Sequence, residues 1–555
     1  MTTVESLQTA REAATNEATH ADACYLALKA RDARFDGRFF TGVTSTKIYC
    51  RPVCKVKVPK KENCRFFDHA AQAEGAGFRP CLRCRPELAP QVLHWSTQDA
   101  SAMLSQQAAR LLDDPEAWGN DGQASGASVE KLSRRLGVSD RHVRRIFEAQ
   151  FGVSPLQYLQ TRRLLAAKQL LTDTDLPVTQ VALSSGFASV RRFNAAFVGH
   201  YKLNPTTLRR EGARSASGAR RVADAAQGAT VRLGYRPPYD AAAMLAFLQK
   251  RAIGSVTAVG SGVAGVAGVT GVTRMAIESG AFHAHSATIR TTFSLRSGDT
   301  DNGGLASPLT GTLRAGWLAA TFDEANSQVL LKVSESLLDV LPQVIRRVRH
   351  WLDLDADPEA IHQVMRGSFP AGEGLRVPGC LDGFEMAVRA VLGQQITVAA
   401  ARTLAQRLVD KFGVPIETPF ADLTRLFPAA EVLAEASGDA LGSLGIVKQR
   451  QAAIVAIARA VAERRITLSA GADVPATMAA LKELPGIGDW TAHYIAMRAL
   501  RWPDAFPAGD IALHKALGVA KALWGSKTAA KEVEAMSQAW KPWRSYAVVR
   551  AWATL

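Results

Sequence analysis

Five of the chain's seven cysteines fall in one short basic segment, YCRPVCKVKVPKKENCRFFDHAAQAEGAGFRPCLRC, from Tyr49 to Cys84. Cys50 and Cys54 have three residues between them, Cys81 and Cys84 have two, and 26 residues separate the pairs. Two close pairs joined by a loop suit a tetrahedral four-thiolate zinc site, and such a site holds a small domain together. Cys64 breaks the pairing and reads as a small buried hydrophobe, as do the distant Cys24 and Cys380.

At 555 residues the chain holds three or four domains' worth of sequence, far more than such a site organises. Its apolar content of 47% contains no run of about eighteen residues able to span a bilayer. The opening MTTVESLQTAREAATNEATH lacks a basic region followed by an apolar one, so it does not read as a secretory signal. A cytoplasmic protein with no membrane partner is expected, and in a reducing compartment clustered cysteines point to metal or thiol chemistry rather than disulfides. The formal charge is +16, and Ser128 to Arg221 carries 17 Lys or Arg against 6 Asp or Glu, a surplus of 11 that suits a polyanionic partner.

Breaks in periodicity divide the chain. The cysteine segment ends at RPELAPQVLHW, helical spacing follows in DASAMLSQQAARLLDD, and WGNDGQASGAS reads as a loop. EGARSASGARRVADAAQGA has no apolar period and reads as a flexible linker. Beyond it, ATIRTTFSL and TGTLRAGWLAATF alternate as strands and YDAAAMLAFLQKRAIG reads as a helix, while the Gly-rich VTAVGSGVAGVAGVTGV is an inserted loop or a buried strand pair. From Ile345 apolar residues recur at helical spacing to the end. The expected architecture is multidomain: a small α+β zinc domain over 1–95, an all-α paired helix-turn-helix domain over 96–212, a linker over 213–229, an α+β domain over 230–344 and an all-α helix-hairpin-helix domain over 345–555.

FFTGVTSTKIYCRPVC, ENC and AGFRPCLRC together resemble the N-terminal domain of the Ada family over roughly the first ninety residues. The resemblance implies that Cys50, Cys54, Cys81 and Cys84 bind Zn2+ and that Cys50 is also the nucleophile, taking a methyl group from a methylated DNA phosphate. A metal-bound thiolate stays deprotonated at neutral pH and can attack a methyl carbon with the phosphate diester as leaving group. Methylating one ligand removes a unit of negative charge that would repel DNA. Thr46, Lys57 and Arg83 are candidate phosphate contacts, with solvated surface as the alternative.

SVEKLSRRLGVSDRHVRRIFEAQFGVSPLQYLQTRRLLAAKQLL followed by VTQVALSSGFASVRRFNAAFVGHYKLNPTTLRR reads as two helix-turn-helix units joined by a long helix. Both copies, in this order, resemble the AraC-type DNA-binding domain over about Ser128 to Arg210. Recognition helices are expected to begin near Ser139 and Ser189 and to aim Asp140, Arg141, Arg144 and Val190, Arg191, Asn194 into successive major grooves. Leu132, Leu136, Val143, Ile146 and Phe147 have helical spacing and read as core.

In LKELPGIGDWTAHYIAMRAL, Leu484 to Gly488 read as a tight turn between two helices, a hairpin whose amides can hold a DNA phosphate, with Gly486 and Gly488 at its bend. About twenty residues on, FPAGDIALHKALG places Asp510 at a helix start, where an aspartate is ordinarily an N-cap worth about 1 kcal/mol. RPPYDAAAMLAFLQKRAIGSV, VPGCLDGFEMAVRAVLGQQITVAAARTLAQRLVDKFG, the hairpin with its aspartate, and WKPWRSYAVVRAWATL resemble, in order, the AlkA-type 3-methyladenine DNA glycosylases from Val231 to the C-terminus. The resemblance implies that Asp510 assists cleavage of the N-glycosidic bond of a flipped alkylated base and that Trp490, Tyr494 and Trp552 form an aromatic pocket for it. It also makes Gln394 and Gln395 DNA contacts, with Gln395 standing where relatives insert an apolar wedge. Trp490 occupies the place where lyase relatives carry a Schiff-base lysine, so β-elimination is not expected.

Together these features point to a monomeric regulator and repair enzyme of DNA methylation damage, with Zn2+ as cofactor, and alkylated and promoter double-stranded DNA and RNA polymerase as partners. The alternative is a zinc-containing transcription factor whose C-terminal half binds DNA without hydrolysing anything.

Overall fold

The computed structural model describes residues 19–91, 100–114, 129–209, 228–261, 287–297 and 312–555. The loop WGNDGQASGAS, nearly all of the 213–229 linker and the Gly-rich tract beyond Ser261 lie outside them.

The N-terminal unit is a four-stranded sheet of β1 (Phe40–Val43), β2 (Ile48–Cys50), β3 (Cys64–Phe67) and β4 (Arg79–Pro80), in the order β3-β1-β2-β4. β2 and β4 pair in parallel, and the Cys81 amide donates to the Tyr49 carbonyl at 3.0 Å. That pairing sets the first cysteine of each pair side by side, because β2 ends on Cys50 and β4 leads straight into Cys81.

The basic segment forms two helix-turn-helix units, Val129–Leu136 with Asp140–Phe151 and Val178–Ser184 with Val190–Tyr201, joined by the helix Pro155–Asp173. Each second helix starts on a serine cap: Ser139 accepts from the His142 amide at 3.3 Å and Ser189 from the Arg192 amide at 3.2 Å. Leu132, Val143, Ile146 and Phe147 are buried, and Leu136 packs against the same cluster.

Beyond residue 228 comes an antiparallel sheet of β5 (Ala229–Gly234), β6 (Thr257–Ser261), β7 (Ala287–Ser297), β8 (Thr312–Asp323) and β9 (Gln328–Val333), in the order β5-β9-β8-β7-β6. The Gly-rich tract thus begins as an edge strand. Helices fill the rest of the chain, around a core that includes Val388, Leu408, Ile454, Leu481, Ile495 and Leu513. The boundary expected between residues 344 and 345 falls inside one helix, Leu341–Trp351. The apolar face of that helix, with Leu341, Val344 and Val348, packs into the sheet's core before the bundle begins.

The halves expected to be separated by a flexible linker share a hydrophobic core. Leu164 and Leu171 of the joining helix and Phe193 and Phe197 of the second helix-turn-helix unit pack in one cluster with Val231, Leu318, Phe322 and Leu331 of the sheet. Polar contacts extend the junction: Gln169 donates to the Arg232 carbonyl at 2.9 Å and the Gln91 amide to Asp355 at 2.8 Å. Within the N-terminal half, Thr161 donates to Glu74 at 2.7 Å and Arg85 to Asp173 at 2.6 Å, tying the zinc unit to the long helix. Among the described residues no helix is long and apolar enough to cross a membrane.

Candidate functional site

The Cys50, Cys54, Cys81 and Cys84 sulfurs all lie within 4.8 Å of one another, three of the four residues buried. Tetrahedral zinc with thiolates at about 2.3 Å requires edges near ~3.8 Å, so the cluster fits the ion with little adjustment. The thiols ionise unequally: hydrogen bonding with Cys54, then Cys81, drives Cys50 up and burial drives Cys84 up, while hydrogen bonding with Cys50 brings Cys54 and Cys81 down. Four thiolates packed this closely need a cation among them.

Arg51 stiffens the cluster. Its amide donates to Cys84 Sγ at 3.4 Å and its Nη1 to the Cys84 carbonyl at 2.9 Å, while its guanidinium is ion-paired with Asp36. Cys64 lies apart from the four and, contrary to expectation, is only partly buried, its thiol donating to the Lys60 carbonyl at 3.3 Å at the edge of the unit. Burial pushes Cys24 to about 11 and Cys380 to about 12, so both stay protonated and inert. Thr46, Lys57 and Arg83 are exposed on the same small unit.

On the recognition helices Arg141, Arg144, Arg191 and Asn194 are exposed. Two residues expected beside them face elsewhere. Asp140 accepts a hydrogen bond from Ser133 of the preceding helix, closing the turn, and Val190 packs against the buried cluster shared with the sheet. In both cases the first turn of the helix is spent on holding the unit together.

In the C-terminal bundle the hairpin joins Val474–Lys482 to Asp489–Arg498. Leu484 packs against the core and Ile487 is buried, so the turn is anchored by its apolar residues. Gly486 has φ +76°, and a Cβ there would stand 3.2 Å from Ala453 Cβ. Gly488 begins the second helix with no side-chain cap, and the space beside it is open. Gln394 braces this turn, donating to the Gly486 carbonyl and to Thr491 Oγ1, both at 3.0 Å. Its amide is therefore committed to the protein. Its neighbour Gln395 is exposed and held at φ +53°, a conformation a non-glycine residue adopts only where its surroundings impose it.

Asp510 is the N-cap of Ile511–Ala516, accepting from the Leu513 amide at 2.8 Å. The same carboxylate also receives the indole N–H of Trp490 on Oδ2 at 2.9 Å and that of Trp552 on Oδ1 at 3.2 Å. Capping and side-chain clasp together fix its orientation. Trp490 and Tyr494 stack with centroids 5.2 Å apart and planes 8° apart, and Trp552 lies 6.4 Å from Tyr494 at 51°. A base intercalated between two rings needs about 6.8 Å of interplanar space, so neither pair is a slot and a base could stack only on an outer face.

Sequence reasoning missed what holds Tyr494. Arg498 donates to its hydroxyl at 2.8 Å, and burial, which would raise the phenol, is outweighed by Arg498 and Arg251, leaving it below its ordinary value. The signal lay in the spacing: positions 490, 494 and 498 are four apart and share a helix face.

Against known families, residues 23–87 match the metal binding domain of Ada, 132–211 a helix-turn-helix domain, 230–382 the AlkA N-terminal domain, and 388–545 the HhH-GPD superfamily of base excision DNA repair proteins. A probable bifunctional transcriptional activator/DNA repair enzyme AlkA from Mycobacterium tuberculosis is 35% identical over 538 residues, covering 96% of each chain. The chain belongs to this family of Ada–AlkA fusions. DNA-3-methyladenine glycosylase 2 of Escherichia coli is 30% identical over 322 residues, 58% of this chain and 96% of that one. The E. coli bifunctional transcriptional activator/DNA repair enzyme Ada is 32% identical over 158 residues, 28% of this chain and 40% of that one. The fusion therefore combines a DNA-binding regulator, a zinc-binding cysteine centre and an AlkA-type glycosylase.

Proposed function

We propose that this protein excises alkylated purines such as 3-methyladenine by monofunctional hydrolysis, with Asp510 facing the departing sugar, and accepts methyl groups from DNA phosphotriesters on Cys50. The observation that carries the first part is the Asp510 carboxylate held by a helix N-terminus and two indoles beside the aromatic stack. Such a carboxylate cannot rotate away as the sugar gains oxocarbenium character, so its charge is preorganised for the transition state. The C1′–N bond breaks with its electron pair leaving on the base; water adds to C1′ and its proton goes to solvent. Trp490, Tyr494 and Trp552 offer stacking and cation–π attraction to a positively charged base. The hairpin amides at Gly486 and Gly488 hold a backbone phosphate, Leu484 anchors the turn with its own amide bonded to the Leu481 carbonyl, and Gln395 fills the gap left by the flipped nucleotide.

In the sensor half, zinc held by Cys50, Cys54, Cys81 and Cys84 would keep their thiolates deprotonated and nucleophilic. The Cys50 sulfur attacks the methyl carbon, the C–O bond breaks, and the phosphodiester leaves with the electron pair. Cys50 is only 6% exposed, so the phosphate must be brought closely to it, and Thr46, Lys57 and Arg83 are the groups proposed to do so. The lost negative charge then strengthens promoter binding through Arg141, Arg144, Arg191 and Asn194, with RNA polymerase as downstream partner of a monomer.

The test pairs two measurements. Wild type should release free 3-methyladenine from methylated DNA while Asp510→Asn does not, and mass spectrometry should find one added methyl on Cys50 after exposure to phosphotriester DNA. Equal base release by both proteins removes Asp510 from the reaction, and a methyl found elsewhere removes Cys50.

A further inference from the structure

The aromatic stack beside Asp510 has charge at both ends. Trp490, Tyr494 and Arg498 follow one another at four-residue intervals along Asp489–Arg498, so about 12 Å of helix separates the first from the last. At the N-terminal end Trp490 holds Asp510. At the other, Arg498 is buried at 6% exposure and spends its donors on the Tyr494 hydroxyl and on the carbonyls of Pro378 at 2.8 Å and Gly379 at 3.1 Å. Those partners are neutral. Arg251, from the end of the helix Ala241–Lys250, also acts on the Tyr494 phenol, and its guanidinium carbon lies 3.6 Å from the centroid of the Phe247 ring, with Arg498 over the same ring at 5.0 Å. The nearby carboxylate of Glu385 is taken up by Arg389 at 2.6 Å. Among the described residues neither Arg498 nor Arg251 has an ion-pair partner.

We propose that Arg498 and Arg251 act as the positive pole of a field along the aromatic stack, opposite Asp510, which drives the electrons of the breaking bond toward the base. The inference rests on Asp510 and the aromatic trio being the excision site. When the C1′–N bond breaks, the base gains an electron pair and the sugar becomes cationic. Positive potential at the base end and negative potential at the sugar end both favour that transfer. For a cationic alkylated base the same potential opposes ground-state binding, because the positive charge is relieved only as the bond breaks. The arginines touch no reacting atom; they position the electrostatics through Tyr494. One charge at ~10 Å in a medium of effective dielectric ~20 changes a rate roughly tenfold.

The test is single-turnover excision of 7-methylguanine, a cationic base, and hypoxanthine, a neutral one, by wild type, Arg251→Met, Arg251→Lys and Arg498→Lys, with thermal melting to establish folding. Arg251→Met should lower the rate roughly tenfold for both bases and lower the half-saturating enzyme concentration for 7-methylguanine alone, while both lysine variants stay near wild type. A merely structural arginine would weaken or leave unchanged the binding of both bases. Unchanged rates in Arg251→Met, or weaker binding of the cationic base, would overturn the proposal. Asp510→Asn run alongside separates the failures: full activity there overturns the site itself, whereas its loss with normal Arg251→Met activity overturns only the field.

Discussion

Replacing Arg236 with methionine tests whether sensor and glycosylase are one folded body. This guanidinium is completely buried and bonds five carbonyls: Nε donates to Asp36 at 2.8 Å, Nη1 to Asp355 and Ala356 at 2.9 and 3.2 Å, and Nη2 to Pro90 and Gln91 at 3.1 and 2.9 Å. Asp36, Pro90 and Gln91 belong to the zinc-bearing half; Asp355 and Ala356 open the helical bundle. At about 1–1.5 kcal/mol each, the five bonds stabilise the junction by roughly 5–7 kcal/mol. Burial works against them, pushing the guanidinium down from 12.5 to about 10. At about 1.4 kcal/mol per pH unit, removing the charge returns about 3 kcal/mol. Arg236→Met should therefore cost about 2–4 kcal/mol, concentrated at the junction.

Guanidinium titration can follow the halves separately, with a chelating dye for zinc release and tryptophan fluorescence for the rest, since eight of the ten tryptophans lie at or beyond Trp317. Wild type should lose both signals at one midpoint, because Asp36 links Arg236 to Arg51 and through it to the zinc ligand Cys84. In Arg236→Met zinc should leave at lower denaturant than the fluorescence change. Separate midpoints already present in wild type, or a single unshifted midpoint in the variant, would refute the clamp.

Glu74 makes stability pH-dependent. Burial, only partly offset by Thr161, Tyr49 and Lys168, lifts its carboxyl from 4.5 to about 7, so between those values the unfolded chain releases a proton that the folded one keeps. Wild type should lose about 3 kcal/mol from pH 4.5 to 7 through this group, and Glu74→Gln should lose that slope in urea titrations at several pH values. Gly486→Ala forces a Cβ at φ +76° toward Ala453; a destabilisation of about 1–2 kcal/mol and weaker DNA affinity by fluorescence anisotropy are expected.

What was legible in the sequence was local. Cysteine spacing reports a metal site because a chelate is built within a few residues of each ligand, and β2 and β4 only had to bring two finished pairs together. The caps at Ser139, Ser189 and Asp510 were legible because a cap needs one side chain and an amide three residues on. The second life of Asp510 as acceptor for two indoles was not, since Trp490 lies 20 positions before it and Trp552 42 after it. Asp140 and Val190 misled for the opposite reason: helical phase says which side of the helix a residue occupies, not whether a neighbouring helix already covers that side.

The charge surplus needs the same correction. Of the cations between Ser128 and Arg221, Lys168 is buried against Glu87 and Arg162 pairs with Asp113 at 2.7 Å. These tie the regulator to the zinc unit or close its own helices, so they add little to the field that DNA meets. Arg141, Arg144, Arg145, Arg191 and Arg192 are exposed on the two recognition helices. Net charge from sequence counts both groups alike, although a buried ion pair is neutral from outside and an exposed arginine is not. Arg236 carries this furthest: in sequence it is one more cation in a basic protein, and in the fold its charge is spent entirely on holding the two halves together.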